Sequence, residues 1–350
     1  MRTREQMIEL LRELCLEFGP SGCEEHVERM IRSKLREGVE YKTDRLGNLV
    51  VRIPNEGAPK MMISAHMDEV GMIINEITDD GYLRFANVGG IEPSVLCGKH
   101  VTVEGKSGFM PGVIASKAIH HQSREDEKKV TPIKDMYIDI GAKDKADAES
   151  MTDLGYYATF DSEFRVFGEN SDFIKSKAID DRLGCAVMLE VMDRLDGEIP
   201  FDLYFCFTVR EEISFSGART TAQALDPDFA IVIESTAAAD VPGVPDSRRV
   251  AIAGQGGAIS LCDRSTIYDK EFVRFALDIA KKNGIPAQIK KYASGGNDAG
   301  HIHKVADGVR CIAISVPSRY IHSPASVISA NDYLSIADLV LAIIKNGKEL

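Results

Sequence analysis

None of the seven cysteines, at positions 15, 23, 97, 185, 206, 262 and 311, lies in a CxxC spacing with another. An odd set of scattered thiols supports neither a disulfide framework nor a zinc knuckle, and they read as reduced, mostly buried side chains in a cytoplasm. Clustered positive charge is missing as well. Against 54 Asp and Glu there are 42 Lys and Arg, a formal net charge of -12. Counterion release at phosphates needs grouped Lys and Arg, so no nucleic-acid or membrane partner is expected, and small or peptidic substrates fit better. No apolar run approaches the roughly 18 uncharged residues of a membrane span, and the opening segment MRTREQMIELLRELCLEF is charged and amphipathic. The expectation is a soluble, cytoplasmic protein that is not exported. Internal repeats and low-complexity segments are absent.

What remains is a globular chain of 350 residues, 44% apolar, long enough for one large domain with an insertion or for two domains. Met7, Leu10, Leu11, Leu14 and Phe18 recur at helical spacing, GPSG interrupts them, and Val27, Met30, Ile31 and Leu35 resume the period. GNLVVRI and KMMISAHM read as strands. From there to about residue 165 the chain is rich in Gly, Val and short alternating segments such as KHVTVEG and GFMPGVIAS, the pattern of a small all-β unit. After residue 175 helical DDRLGCAVMLEVMDRL and KEFVRFALDIAKKNG alternate with apolar FDLYFCFTV, DFAIVIES and VRCIAISVP. Strands apolar on both faces alternating with helices predict a parallel or mixed α/β sheet covered by helices, with the β unit inserted into it.

Polar residues stop these apolar runs at informative places. KMMISAHMDEVG ends its run at His66 and Asp68, FDLYFCFTVREE at Glu211 and Glu212, FAIVIES at Glu234, and CIAISVPSRYIH a little later at His322. Ligands of open α/β sheets bind at the carboxyl ends of strands. Asp180 and Asp181 in KAIDDRLG precede an apolar helical pattern, where a carboxylate also serves as an ordinary helix cap. Taken singly, a strand-end His, a Glu-Glu pair or an Asp-Asp pair is more often structural or solvated. Jointly, two His and at least four acids at one edge call for divalent cations, and a dinuclear zinc or cobalt site is the economical reading. His66 and Asp68 share a face of extended backbone, so Asp68 can take the proton of the second ring nitrogen. Glu211 and Glu212 would point to opposite sides if the strand continued, which predicts one ligand and one base.

SGCEE, DRLGNLV, SAHMDEVG, GVIASKAIHH, AIDDRLGC, TVREEISFSGA, GGNDAG and VPSRYIHSP, in that order over nearly the whole chain, resemble the M42 metallo-aminopeptidases, also called glutamyl or deblocking aminopeptidases. The resemblance implies a dinuclear zinc exopeptidase domain of mixed-sheet α/β fold with helices on both faces, residues 1–68 and 166–350, interrupted by a β-barrel-like dimerisation domain at 69–165. It implies two divalent ions per subunit, zinc or cobalt with manganese as an alternative, held by His66, Asp180, Glu212, Glu234 and His322. Asp180 would bridge the ions, Asp68 would orient His66 and Glu211 would be the general base. A cis peptide is expected after the bridging residue, at Asp180–Asp181. The implied partners are short peptides and further copies of the chain, in dimers that build a tetrahedral dodecamer.

Departures from the family pattern bear on substrate subgroup and metal. Glu234 stands where Asp is common, REEISF replaces QEEVGL and so brings in Arg210 and Ser214, and Lys117, Ala118, Ile119 and His120 replace KPPH. His301 and His303 are expected to pack or face solvent. The charged loop HHQSREDEKK is an ordinary solvated loop, or else a segment reaching a partner subunit's active site. Alternatives to the aminopeptidase are a deacylase or amidase with the same metals, a glycoside hydrolase, and a non-catalytic peptide-binding shell protein.

Overall fold

A computed structural model describes residues 2–121, 123–124, 129–291 and 295–350. The core is an 11-stranded mixed sheet whose middle four strands, Asp202–Thr208, Lys60–His66, Phe229–Ala237 and Arg310–Arg319, run parallel. All four deliver their carboxyl ends to one edge. Met61 to His66 are buried without alternation, so both faces of that strand are covered, as a strand inside an α/β layer requires. Helix Ile179–Arg194 lies across the strands of His66 and Glu234, between helices Arg4–Leu16 and Ala330–Lys345. Antiparallel strands extend the sheet at both ends, through Leu49–Ile53 on one side and Ser326–Ser329 on the other. A short arm, Gly257–Ser260 paired with Ala287–Lys290, hangs on the strand Arg310–Arg319.

The glycine- and valine-rich middle of the chain forms a closed six-stranded barrel, from Gly71–Ile77 round to Tyr157–Phe160. Met72, Ile74, Leu83, Val101, Val103, Ile114 and Ile138 fill it as a separate apolar core. Of the loop HHQSREDEKK, residues 122 and 125–128 lie outside the described residues, and the partner-site expectation falls largely on them.

One fully buried guanidinium ties the two units together. Arg182 donates to the carbonyls of Leu14 (2.6 Å), Met67 (2.6 Å), Glu17 (3.1 Å) and Gly19 (3.2 Å), and reaches Glu69 at 3.4 Å. Glu69 also accepts from Lys177 at 2.6 Å and from Thr159 of the barrel at 2.8 Å. Removing one member of a buried charged network leaves the others desolvated and unpaired, which typically costs about 3–5 kcal/mol. Arg182→Leu is therefore expected to lose about that much stability in urea unfolding, with the rim mutant Arg165→Leu nearly unchanged as the control. A loss below about 1 kcal/mol for Arg182→Leu would show the network is not holding the units.

Candidate metal centre

His66 is the last residue of its strand and lies beside Thr208 on the neighbouring parallel strand. That neighbouring strand stops at Thr208. Arg210 then takes left-handed backbone (φ 59°, ψ 34°), and Glu211–Ser214 form one turn of helix. The alternation argument for Glu211 and Glu212 consequently does not apply, because no strand continues through them. Both carboxyls reach the same cluster from a helical turn. Glu234 lies within its strand rather than at its end, three residues before Ala237. His322 follows its strand by three residues, in left-handed backbone at φ 58°.

All five expected ligands converge. One oxygen of Asp180 is 3.2 Å from His66 Nε2 and the other is 3.5 Å from His322 Nε2. Glu234 and Glu211 stand 3.8 and 3.9 Å from His66 Nε2, and Glu212 lies 3.3 Å from His322 Nε2. His66, Asp180 and Glu212 bring ligand atoms within 4.8 Å of one another, and so do His66, Glu211 and Glu234. Glu234 Oε1 is buried with no hydrogen-bond partner among the described residues. An unpartnered carboxylate oxygen within a histidine–carboxylate cluster is available as a ligand atom, and this donor set fits hard or borderline divalent ions.

Positioning comes from the surrounding backbone. His66 Nδ1 lies 3.1 Å from the carbonyl of Asp68 and 3.4 Å from its carboxylate. The Asp68 carboxylate also accepts the backbone N–H groups of Glu211 (3.0 Å) and Glu212 (3.1 Å) and the Ser21 hydroxyl. It thus caps the turn carrying both glutamates as well as facing the imidazole. His322 Nδ1 is held at 2.8 Å by the carbonyl of Gly90, a residue of the inserted segment. The Asp180–Asp181 bond is cis, as the resemblance implied. Asp181 turns away from His322 and accepts from the backbone of His66 (3.3 Å) and Gly184 (3.1 Å). Gly184 is required there, since a Cβ would come within 2.6 Å of the Asp181 carboxylate and 2.8 Å of Ala65.

Electrostatics follow from burial. Desolvation pushes the Glu211, Glu234 and Asp181 carboxyls well above the usual range, with neighbouring carboxylates adding to it. Burial also opposes charge on His66 and His322, yet the carboxylates around them prevail, raising His66 well above its ordinary value and His322 to about 11. Asp180, between the two imidazoles, is lowered despite its burial.

Three contributors escaped the sequence reading. Asp298 of GGNDAG is buried, accepts from Thr208 at 2.8 Å and adds its charge to that around Glu211. Lys290 lines the cavity over the cluster, about 430 Å³ bounded also by Phe215, Thr236, Asn297 and Ile321. Glu24 of SGCEE accepts from the backbone N–H groups of Gly22 (2.8 Å) and Arg210 (3.0 Å), fastening the Arg210 turn. GGNDAG and SGCEE stood out as motifs, but no spacing rule assigned their acids a task. His301 stacks on Phe215 at 4.9 Å, and His303 bonds the Ala299 carbonyl at 2.6 Å, so both pack as expected.

An open α/β sheet with a histidine–carboxylate cluster at its carboxyl edge and a barrel inserted before the cluster's helix is the build of a peptidase class. A TET aminopeptidase from a marine-sediment Thaumarchaeota archaeon superposes with a TM-score of 0.93 at 35% identity, over 98% of this chain and 97% of that one. The TET1 peptidase of Pyrococcus horikoshii, which can assemble into a tetrahedron or a large octahedral shell, gives 0.87 at 35% identity, covering 97% and 99%. A Thermotoga maritima structure described as an endoglucanase gives 0.79 at 33% identity, covering 97% of each. The family model described as M42 glutamyl aminopeptidase matches residues 47–339. The chain belongs to the M42 peptidase family.

Glu24 provides a pH test of the cluster's surroundings. Burial, and then the charge of Asp68, raise its carboxyl to about 7. The folded state keeps this proton while the unfolded chain releases it near the ordinary value, so stability is lost as pH rises from about 4.5 to 7. In metal-free protein, Glu24→Gln should shrink the fall in melting temperature between pH 5 and pH 8 relative to wild type. Equal falls in the two proteins would contradict the assignment.

Proposed function

We propose that this protein is a metal-dependent aminopeptidase that removes N-terminal residues from short peptides. The observation that carries the reading is Asp180, whose two oxygens face two different imidazoles and so join both histidines to one carboxylate cluster. His66, Asp180, Glu212, Glu234 and His322 would hold two divalent ions, zinc or cobalt with manganese as the alternative. Such ions, when bound, acidify water and polarise the scissile carbonyl.

The remaining work belongs to the chain. Glu211 faces the cluster, 3.9 Å from His66 Nε2, without a hydrogen bond from its carboxylate committing it elsewhere among the described residues, the position a proton-transferring carboxylate needs. Glu211 takes a proton from the attacking water and delivers it to the leaving amine, so that water is added across the peptide bond. Asp68 keeps Glu211 in place through its backbone and orients His66. The cavity above the cluster receives the first residue, whose free α-amine is held among the carboxylates. The barrel supplies a dimer contact, and the dimers assemble into a closed shell like that of the Pyrococcus horikoshii relative.

A glycosidase needs two carboxylates facing each other across a sugar at roughly 5–9 Å. Here Glu211 and Glu212 share one helical turn and both approach imidazoles, which favours the peptidase over the endoglucanase description of the Thermotoga relative. In a panel of di- to tetrapeptides with zinc or cobalt, wild type should release N-terminal residues. Glu211→Gln should lower kcat by about a thousandfold or more while elemental analysis still finds two ions per chain. Glu212→Gln should instead weaken metal binding by about ten- to a hundredfold. No release from any peptide, or Glu211→Gln turning over like wild type, defeats the proposal, and cellulose hydrolysis surviving chelation would replace it.

A further inference from the structure

We infer that the edge of the strand Phe229–Ala237 beyond Glu234, at Ser235 and Ala237, is a binding site for the substrate's backbone on the far side of the cleaved bond, which joins the sheet there as a short extra strand. The inference rests on the aminopeptidase reading and adds to it a site for the part of the peptide that leaves.

The strand is paired unequally along its two sides. On one side it stays in register with Arg310–Arg319 as far as Ala237 opposite Ser318, while on the other its pairing with Lys60–His66 stops at Val232 opposite Ser64. The ends of the longer ladder show which main-chain groups face which side. Arg310 N–H donates to the Asp228 carbonyl (3.1 Å) and Ala238 N–H donates to the Ser318 carbonyl (2.9 Å). Even-numbered residues therefore turn their main-chain groups toward Arg310–Arg319, and Ser235 and Ala237 turn theirs the other way. On that side the neighbouring strand has ended. The next N–H along it, that of His66, goes to the Asp181 carboxylate at 3.3 Å, and Met67 N–H turns to the Thr208 carbonyl at 2.7 Å. Neither Ser235 nor Ala237 has a backbone partner on that side among the described residues.

An unpaired sheet edge is a template for an extended chain. This one borders the cavity over the cluster. Ser235, Thr236 and Ala237 all line that cavity, although in a strand the side chains of Ser235 and Ala237 leave the sheet on the face opposite to that of Thr236. Consecutive residues reach one cavity together through the main-chain edge they share. Position then identifies the occupant. The edge starts one residue after Glu234, an expected ligand of the ions that hold the first residue's amine and carbonyl. From Ser235 it runs about 7 Å outward, at about 3.3 Å per residue, to the exposed Ala237 that ends the strand. That length suits the one or two residues after the cleaved bond, whose carbonyl and N–H groups recur at the same spacing. Main-chain pairing reads no side chain, so the site accepts any residue that keeps its N–H and disfavours proline as the third residue.

The test uses metal-loaded protein, the tripeptides Leu-Gly-Gly and Leu-Gly-sarcosine, and Leu p-nitroanilide, which has no second residue. Sarcosine is N-methylglycine, so it removes one N–H beyond the cleaved bond and leaves that bond as it was. Wild type should cleave Leu-Gly-Gly with a kcat/KM about five- to tenfold above that for Leu-Gly-sarcosine, the difference lying in KM. Ala237→Pro removes the outer N–H at a strand edge, where proline is tolerated, and should lose about five- to tenfold more on Leu-Gly-Gly than on the anilide. Ala237→Gly keeps the N–H and should show no such difference. Equal kcat/KM on the two tripeptides in wild type overturns the inference without any variant, so it stays open to refutation even if Ala237→Pro does not fold. In protein of unchanged melting temperature, an equal loss on tripeptide and anilide in Ala237→Pro also overturns it, as does Ala237→Gly losing as much as Ala237→Pro. If neither tripeptide nor anilide is cleaved, the aminopeptidase reading itself has failed. Calorimetric titration with the two tripeptides then decides the inference: tighter binding of Leu-Gly-Gly that Ala237→Pro abolishes supports it, and equal affinities in wild type refute it.

Discussion

Seven carboxyl groups and the His66 imidazole are largely withdrawn from water at one edge of the sheet, with the His322 ring partly exposed beside them, and the rest of the molecule is arranged around that cost. Asp68, Asp181, Asp298 and His66 have at most 1% exposure, and Glu211 and Glu234 are also buried. Like charges at such spacing repel across a low-dielectric interior, as the raised Glu211, Glu234 and Asp181 carboxyls show. Two imidazoles cannot balance them. Cations would stabilise the charged form of such a cluster, which is the physical basis of the metal site proposed for it.

Holding these groups in place takes a frame built at several levels. Parallel pairing brings the four strand ends to one edge, and Asp68 fastens the Glu211 turn through two backbone N–H groups. Behind the cluster, Arg182 collects four carbonyls and Glu69 from segments that otherwise leave acceptors buried. The insertion takes part too. Gly90 positions His322 and Thr159 engages Glu69, so the barrel is mechanically continuous with the site it interrupts.

Much of this was legible because it rests on local pattern. Uninterrupted apolar runs marked KMMISAHM, DFAIVIES and VRCIAISVP as buried strands, and the acids and His that ended or followed those runs marked the edge. The failure at Glu211 and Glu212 has a local cause. A left-handed Arg210 redirects the chain into a helical turn, and nothing in REE distinguishes a strand that stops from one that continues. Arg210 matters less through its charge than through its backbone, which Glu24 holds by one hydrogen bond. Glu24 and Asp298 went without a task because each acts on a residue more than 80 positions away in the chain.

By itself the sequence determined the fold class and the inserted β unit, and its family resemblance pointed to five residues that converge in the structure, since each depends on periodicity or on an ordered set of short motifs. Only the tertiary structure decided how those residues divide between two imidazoles, what supports them and which charge lines the cavity beside them. Strand register and loop direction bring together groups separated by more than 100 residues, as with His66 and Asp180. No local pattern encodes that register, because it is settled by how the whole core packs.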